Sequence, residues 1–243
     1  MSFLDSTRAT ATERLQRALG DYFWSAYGAA YDLIWDSPLS EAIAESALEW
    51  APPGASVVDL GCGTGLISRL FVSFGCEVHG VDSSRPMLRR ALRRRRLTSQ
   101  AWRPAEDTNL PNASADLVLI CNVLHLHADG LALLAEAVRI AKPGATIFAC
   151  WPGEGLSNDD LVDIELKVGR SMASTIFADL LRRMISLLAA VALKHPNRQG
   201  VRDLVTEAIV ANSLTALRCE TLLGCQNIIV LKVPEQGAAR SAL

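Results

Sequence analysis

The stretch Val57-Val58-Asp59-Leu60-Gly61-Cys62-Gly63-Thr64-Gly65 decides how this chain is read. An apolar run, Ser56–Leu60, carries a carboxylate near its end and gives way to a glycine-rich turn. Glycine tolerates the positive φ of tight turns and lets the backbone approach a ligand closely. A helix is expected over Gly65–Phe74. Its first N–H groups have no partner inside the helix and are free to meet a ligand carboxylate. The next strand, Glu77–Val81, leads into Asp82-Ser83. An ionised carboxylate at that position accepts strong hydrogen bonds from a ribose diol.

The same alternation continues. A helix over Arg85–Arg96 precedes strands over Gln100–Arg103 and Asp116–Asn122. A helix over Asp129–Lys142 is stopped by Pro143-Gly144, and Ala145–Trp151 is a fifth strand. Continuous apolar strands alternating with helices indicate a parallel sheet covered on both faces, and right-handed crossovers make it doubly wound. Three further helices are expected at Asn158–Ser171, Thr175–Lys194 and Gln199–Asn212. The runs Thr215–Leu222 and Gln226–Val233, around Gly224, suit an antiparallel hairpin at the sheet edge. On the N-terminal side, Thr7–Leu19, Tyr22–Trp35 and Pro38–Trp50 read as helices closed by Pro52-Pro53-Gly54. The expected organisation is a helical cap over 1–54, a ligand-binding α/β core over 55–151 and a helical insertion forming a pocket wall over 152–214. The edge hairpin over 215–233 completes the sheet, and 234–243 is a tail.

From Asp59 to Gly65 the chain carries the pattern Asp/Glu-x-Gly-x-Gly-x-Gly, set between a strand and a helix and followed by Asp82 after the next strand. This resembles the nucleoside-binding site of class I S-adenosylmethionine-dependent methyltransferases. The likeness covers residues 51–151 and, in topology, 215–233. In the dinucleotide fingerprint the third glycine falls three residues after the second, whereas here it falls two after. The resemblance implies a Rossmann-like, seven-stranded, mainly parallel sheet with a terminal antiparallel hairpin, and S-adenosyl-L-methionine as cofactor. It places Gly61, Gly63 and Gly65, with Cys62 between them, along the methionine moiety. Asp59 would help to hold the α-ammonium, and Asp82 the ribose hydroxyls. Ser83 and Met87 would lie beside the adenine, and Ala105 would offer its backbone N–H to the ring. Family members often have an Asp before that Ala. This chain has Pro104, and Glu106 or Asp107 is the candidate replacement. Asn122 and His125 follow the fourth strand, at or near the edge where ligands bind, and Asn122 is counted with the cofactor-binding residues.

For chemistry, His125 and, after it, His127 are candidate general bases; the alternative for each is a partly exposed residue opening the Asp129 helix. Methyl transfer needs no strong base when a nucleophile is held in line. Tyr22, Phe23, Trp24, Tyr27, Tyr31 and Trp35 include all three tyrosines of the chain. Trp24, Tyr27, Tyr31 and Trp35 share one helical face. That face either packs on the core or forms a lid, and family members often carry a Tyr-Asp pair like Tyr31-Asp32 in such a lid. Aromatic faces suit a sulfonium cation. Tyr27 and Tyr31 are therefore candidates for the catalytic site beside His125.

Composition sets the outer limits. The chain has 243 residues, half of them hydrophobic, and a net charge of −2. It can bury a sizeable core, which excludes global disorder. The charge balance argues against a DNA binder, and no Asn-Pro-Pro-Tyr-like motif is present. The arginines of Arg85–Arg96 read either as a solvated face or as a contact for RNA or an acidic carrier protein. Six cysteines show no zinc spacing, so no metal is expected. Cys76, Cys121, Cys150 and Cys225 sit in apolar runs as small hydrophobes, and Cys219 and Cys225 are placed to face each other across the hairpin. Met1–Arg17 lacks the apolar stretch of a secretory leader. The apolar run Met184–Leu193 is half of the roughly 20 residues that a bilayer span requires. A cytoplasmic location is expected. The helix over 175–194 is apolar on more than one side and reads as core, as substrate wall or as the contact face of a homodimer.

Three functions are open on these grounds. The first is methyl transfer from S-adenosylmethionine to a small, largely apolar metabolite at O, N or C. The second is cyclisation of the methionyl chain by its own amine, giving azetidine-2-carboxylate and methylthioadenosine in an aromatic cage. The third is non-catalytic binding.

Overall fold

The computed structural model describes residues 27, 28, 30–192 and 200–235. The sequence expectations for Thr7–Leu19, residues 22–26, residues 193–199 and the tail beyond 235 lie outside the described residues. The described residues form seven strands, β1 (Ser56–Leu60), β2 (Glu77–Asp82), β3 (Ser99–Trp102), β4 (Ala115–Cys121), β5 (Ala141–Pro152), β6 (Thr215–Leu222) and β7 (Gln226–Lys232). They make one sheet in the order β3-β2-β1-β4-β5-β7-β6. β1 to β5 pair in parallel, while β7 runs antiparallel between β5 and β6. This is the doubly wound α/β sheet that the strand–helix alternation predicts, with the edge hairpin in place.

Side chains alternate across each strand and divide the core in two. Val58, Leu60, Val118, Ile120, Ile147 and Ala149 meet helices α4 (Gly130–Ile140) and α7 (Val201–Ala211) on one face. Val57, Leu117, Leu119, Phe148 and Cys150 meet α1 (Pro38–Leu48), α2 (Ser68–Ser73), α3 (Arg85–Arg93) and α5 (Asn158–Lys167) on the other. Burial of both faces explains why the strands read as apolar runs rather than as alternating patterns.

Several boundaries differ from expectation, for local reasons. Gly61, Gly63 and Gly65 all have positive φ, at +73°, +54° and +71°, so a right-handed helix cannot begin among them. α2 is entered only after Gly65, whose carbonyl accepts from Arg69 N–H at 3.0 Å. The helix expected to reach Lys142 ends at Ile140. Ala141 already pairs with Ala115, and a residue before proline favours extended backbone. The helix expected over Asn158–Ser171 stops at Lys167. Gly169 has φ +94°, Arg170 N–H folds back to the Glu165 carbonyl, and a new helix, α6, spans Met172–Ala192. Cys219 pairs across the hairpin with Ile229 and is exposed, whereas Cys225 is buried at the turn; the two do not face each other. No helix among the described residues is long and apolar enough to cross a membrane. In α6, Ala178 is buried, and Ile176, Phe177, Leu180 and Met184 are exposed.

Candidate functional site

The glycine turn leaves β1 at the edge where the parallel strands end. Gly61 and Cys62 N–H both donate to the Val81 carbonyl, at 2.8 and 3.1 Å, which binds the turn to the end of β2. A Cβ on Gly61 would lie 2.5 Å from Val123 Cγ2, and one on Gly65 would lie 2.9 Å from Arg96 Cβ. Glycine is therefore required at both positions by packing as well as by φ. Gly63 faces open space instead, and its N–H donates to Asp82 Oδ2 at 2.8 Å. Ser84 N–H donates to Asp82 Oδ1 at 2.7 Å. The Asp82 carboxylate is thus pinned from behind by two backbone groups. Burial raises its pKa, against the two backbone bonds.

A cavity of about 530 Å³ opens over this edge. From the turn it is lined by Gly61, Gly63 and Asp82, and from the start of α3 by Ser83 and Met87. Ala105 and Glu106 line it from the loop after β3. Asn122, His125 and His127 line it from the end of β4, and Tyr27, Tyr31 and Trp35 close it from the N-terminal helical residues. Asp59 and Cys62 stand behind, in an adjoining pocket of about 20 Å³ shared with Tyr31 and Gly61. Such a volume holds one small polar group. Gly65 reaches neither space and packs on Arg96; it shapes the turn rather than lining the cavity. Asp107 likewise is not part of the lining, and Glu106 is the acidic residue beyond Ala105 that reaches it.

Charge in the site follows from burial. Asp59 is buried, accepts from Ser68 Oγ at 2.5 Å, and has its pKa pushed up to about 7 by desolvation, aided by Asp82. His125 has its pKa lowered to about 4 by burial, so its imidazole is neutral at pH 7. Tyr27 accepts from Trp35 Nε1, and burial pushes its phenol up to about 12. The Tyr31 phenol is pushed higher still, by burial and then by Tyr27 and nearby carboxylates. Both tyrosines therefore remain protonated near neutrality, as aromatic walls and hydrogen-bond donors. They meet edge to face, with ring centroids 5.3 Å apart. His127 Nε2 lies 2.9 Å from Glu106 Oε2, and its Nδ1 lies 2.8 Å from the Asp129 carbonyl. This fixes Glu106 at the cavity mouth.

The tyrosine-bearing residues are tied down by arginines. Asp32 is buried and accepts from Thr64 Oγ1 in the glycine turn at 2.5 Å. It also receives Arg94, and Arg96 at 3.1 Å. Arg96 donates in addition to the Thr64 carbonyl at 3.1 Å. On the other side, Arg170 donates to the Ile34 and Leu33 carbonyls, each at 2.7 Å, and Arg182 lies 5.7 Å from the Trp35 ring centre. The arginine-rich segment is consequently not a uniformly solvated face. Arg89, Arg93 and Arg95 are exposed and Arg85 stacks on Trp102, but Arg96 is buried as part of a latch. Among the described residues, removing the Asp32 charge leaves Asp36, 3.5 Å away, as the only carboxylate paired with Arg96. An Asp32→Asn variant is expected to lose protection against hydrogen exchange over residues 30–35 by about tenfold or more, roughly 1.4 kcal/mol of local stability. The β1–β4 ladders should stay protected, and equal exchange in variant and parent over 30–35 would show that the latch holds nothing.

Residues 58–149 match a family model described as a methyltransferase domain. Over that stretch, less than half of the chain, the sequence is similar to a methyltransferase domain. Outside that stretch the likeness thins. The chain is 36% identical over 127 residues to trans-aconitate 2-methyltransferase of Azoarcus sp., covering 51% of this chain and 45% of that protein. It is 31% identical over 137 residues to the ubiquinone biosynthesis O-methyltransferase of Xanthomonas campestris, covering 54% and 56%. The chain spans about half the length of these curated relatives. Among solved structures, an S-adenosylmethionine-dependent methyltransferase from Mesorhizobium loti superposes with a TM-score of 0.53 at 20% identity, covering 77% of this chain and 96% of that one. That likeness is one of fold.

The glycine turn and Asp82 carry a motif in the sequence, whereas the contacts that fasten them to the N-terminal residues do not. Thr64, Arg94 and Arg96 carried no motif signal of their own; the Tyr31-Asp32 pair was the available clue. Val123, which enforces glycine at position 61, and Gln226, which reaches the cavity from β7, are visible only once the chain is folded.

Proposed function

We propose that this chain binds S-adenosyl-L-methionine and transfers its methyl group to a small, largely apolar metabolite. The observation that carries this reading is the pinned Asp82 carboxylate beside the left-handed glycine turn, opening on the aromatic-walled cavity. The residues suit the cofactor part by part. Asp82, its inner lone pairs occupied by Gly63 and Ser84, turns its remaining acceptor capacity to a ribose diol. Asp59, in its adjoining pocket, suits an ammonium, whose charge would offset the cost of ionising a buried carboxylate. Met87 and Ala105 flank the adenine end, where Glu106 takes the place left by Pro104. Tyr27, Tyr31 and Trp35 present aromatic edges and faces towards a sulfonium cation and exclude water.

When bound, S-adenosylmethionine supplies a methyl group activated by its sulfonium sulfur. The protein's part is to hold an acceptor in line with that methyl, and such positioning is worth several orders of magnitude in rate. His125, neutral at pH 7, can take the proton that a hydroxyl or amine gives up as it is methylated, then pass it to solvent. Transfer is favoured over cyclisation because the cavity continues past the cradle to Leu126, Pro152, Ile185 and Gln226, a volume that self-cyclisation would not use.

Calorimetry with S-adenosylhomocysteine tests the binding step. Saturable one-to-one binding is expected, and its absence would remove the reading. Mass spectrometry of the protein incubated with S-adenosylmethionine alone tests the chemistry. The cofactor should persist unchanged, and accumulation of methylthioadenosine would replace transfer by cyclisation.

A further inference from the structure

Among the described residues, four buried side-chain atoms of cavity-lining residues have no hydrogen-bond partner: Ser84 Oγ, just before α3, and Asn122 Oδ1, His125 Nδ1 and Gln226 Oε1. A buried polar group without a partner is costly and calls for an explanation. Here the topology brings the last three to one place. Asn122 follows the end of β4, with φ +58°, and its N–H donates to the Cys150 carbonyl of β5 at 2.9 Å. Gln226 begins β7 and pairs with Pro152 at the end of β5. Because β7 is antiparallel, its first residue stands at the same sheet edge as the last residues of β4 and β5. His125 lies in the short helical turn Leu124–Leu126 that leaves this edge. Gln226 lines the cavity yet is only 3% exposed, so its amide oxygen is sheltered from solvent at the cavity wall. The cradle for the nucleoside lies over β1 and β2; this cluster lies over β4 and β7.

The geometry points to Asn122, His125 and Gln226 as the polar anchor for the methyl acceptor, selecting a neutral hydroxyl- or amine-bearing ring compound over a carboxylate. The assignment rests on the methyl-transfer reading above and narrows it. Asn122 Oδ1 and Gln226 Oε1 accept hydrogen bonds, and a neutral imidazole nitrogen accepts or donates according to tautomer. A hydroxyl or a primary amine satisfies such a set with its own N–H or O–H groups. A carboxylate has no donor to offer the amide oxygens. It would also face the carboxylates of Asp82 and Glu106, which line the same cavity, and like charges in a partly desolvated space repel. Pro152, Leu126 and Ile185 supply apolar walls for the body of the acceptor.

Saturation-transfer NMR on the full chain with S-adenosylhomocysteine bound tests this. Matched probes are phenol, aniline and benzoate, with 2-naphthol, 2-naphthylamine and 2-naphthoate as the bicyclic set. The hydroxyl and amine members are expected to bind at least about tenfold more tightly than the carboxylates. A Gln226→Leu variant should lose about tenfold for those members and bind S-adenosylhomocysteine as the parent does. Carboxylates binding as well as their partners, binding by none of the six, or Gln226→Leu leaving naphthol affinity intact would each overturn the assignment. If S-adenosylhomocysteine itself fails to bind, the failure belongs to the methyl-transfer reading instead.

Discussion

A Glu165→Gln variant is expected to melt roughly 10 °C below the parent chain, on the order of 3–5 kcal/mol lost at about 2–4 °C per kcal/mol for a domain of this size. The Glu165 side chain is 0% exposed and is flanked by Arg170 at 5% and Arg182 at 4%. Arg170 reaches both carboxylate oxygens at 2.9 Å, and Arg182 approaches each at 3.4 Å. Glutamine keeps the size of the side chain and removes the charge, so two buried guanidinium groups lose their common counter-ion. An uncompensated buried charge is what makes breaking such a cluster costly, far beyond the net worth of the cluster itself. The same change should loosen the cavity roof, because Arg170 holds the Leu33 and Ile34 carbonyls and Arg182 sits over Trp35. Scanning calorimetry decides it, and a drop under about 2 °C would mean that the two arginines find other partners.

The sheet was legible in the sequence because its causes are local. Strands buried on both faces are apolar almost throughout, and a strand that carries Asp59 just before its end and runs into three closely spaced glycines declares both the turn and the ligand edge. Asp82, Met87, Ala105 and Asn122 could be placed because each lies at a fixed position relative to a strand end. The Asp32 latch was not legible. Its partners come from residues 64, 94 and 96, and an arginine in a run of arginines gives no sign of which one will be buried. Arg96 is singled out only by the fold-back after α3, where Arg95 has φ +55° and Arg96 N–H returns to the Ala91 carbonyl. The break at Gly169 was missed for a related reason. Glycine inside a helical pattern is tolerated often enough that the pattern alone does not reveal a terminus. Here the turn is fixed by Arg170 folding back on Glu165, a pairing set by three-dimensional burial. Gln226 illustrates the same limit across the sheet: a residue at the start of an edge-hairpin strand becomes a cavity residue only because β7 is inserted, antiparallel, beside β5.

Asp82→Ala should weaken S-adenosylhomocysteine binding by about 100-fold, the equivalent of roughly 2.7 kcal/mol, while leaving thermal stability close to that of the parent. The first half follows from two hydrogen bonds between a ribose diol and an ionised acceptor, which are worth more than neutral ones. The second half follows from the direction of the pKa shift. Burial raises the Asp82 carboxyl above its ordinary 3.8. For a group whose pKa is raised on folding, the stabilising contribution is present below the unfolded pKa and is lost as pH rises through the folded value. Above its folded pKa, Asp82 therefore gives the free protein no electrostatic stability through this shift. Against that, alanine forfeits the two bonds from Gly63 and Ser84 N–H, a loss softened because Asp82 is only partly buried and solvent reaches the edge. Loss of affinity without loss of stability distinguishes a carboxylate placed for a ligand from one placed for the fold. Glu165 predicts the reverse pattern, so calorimetric binding and melting of the two variants side by side separate the roles. Unchanged affinity in Asp82→Ala would refute the ribose assignment. A melting drop as large as that of Glu165→Gln would recast Asp82 as a structural brace for the glycine turn.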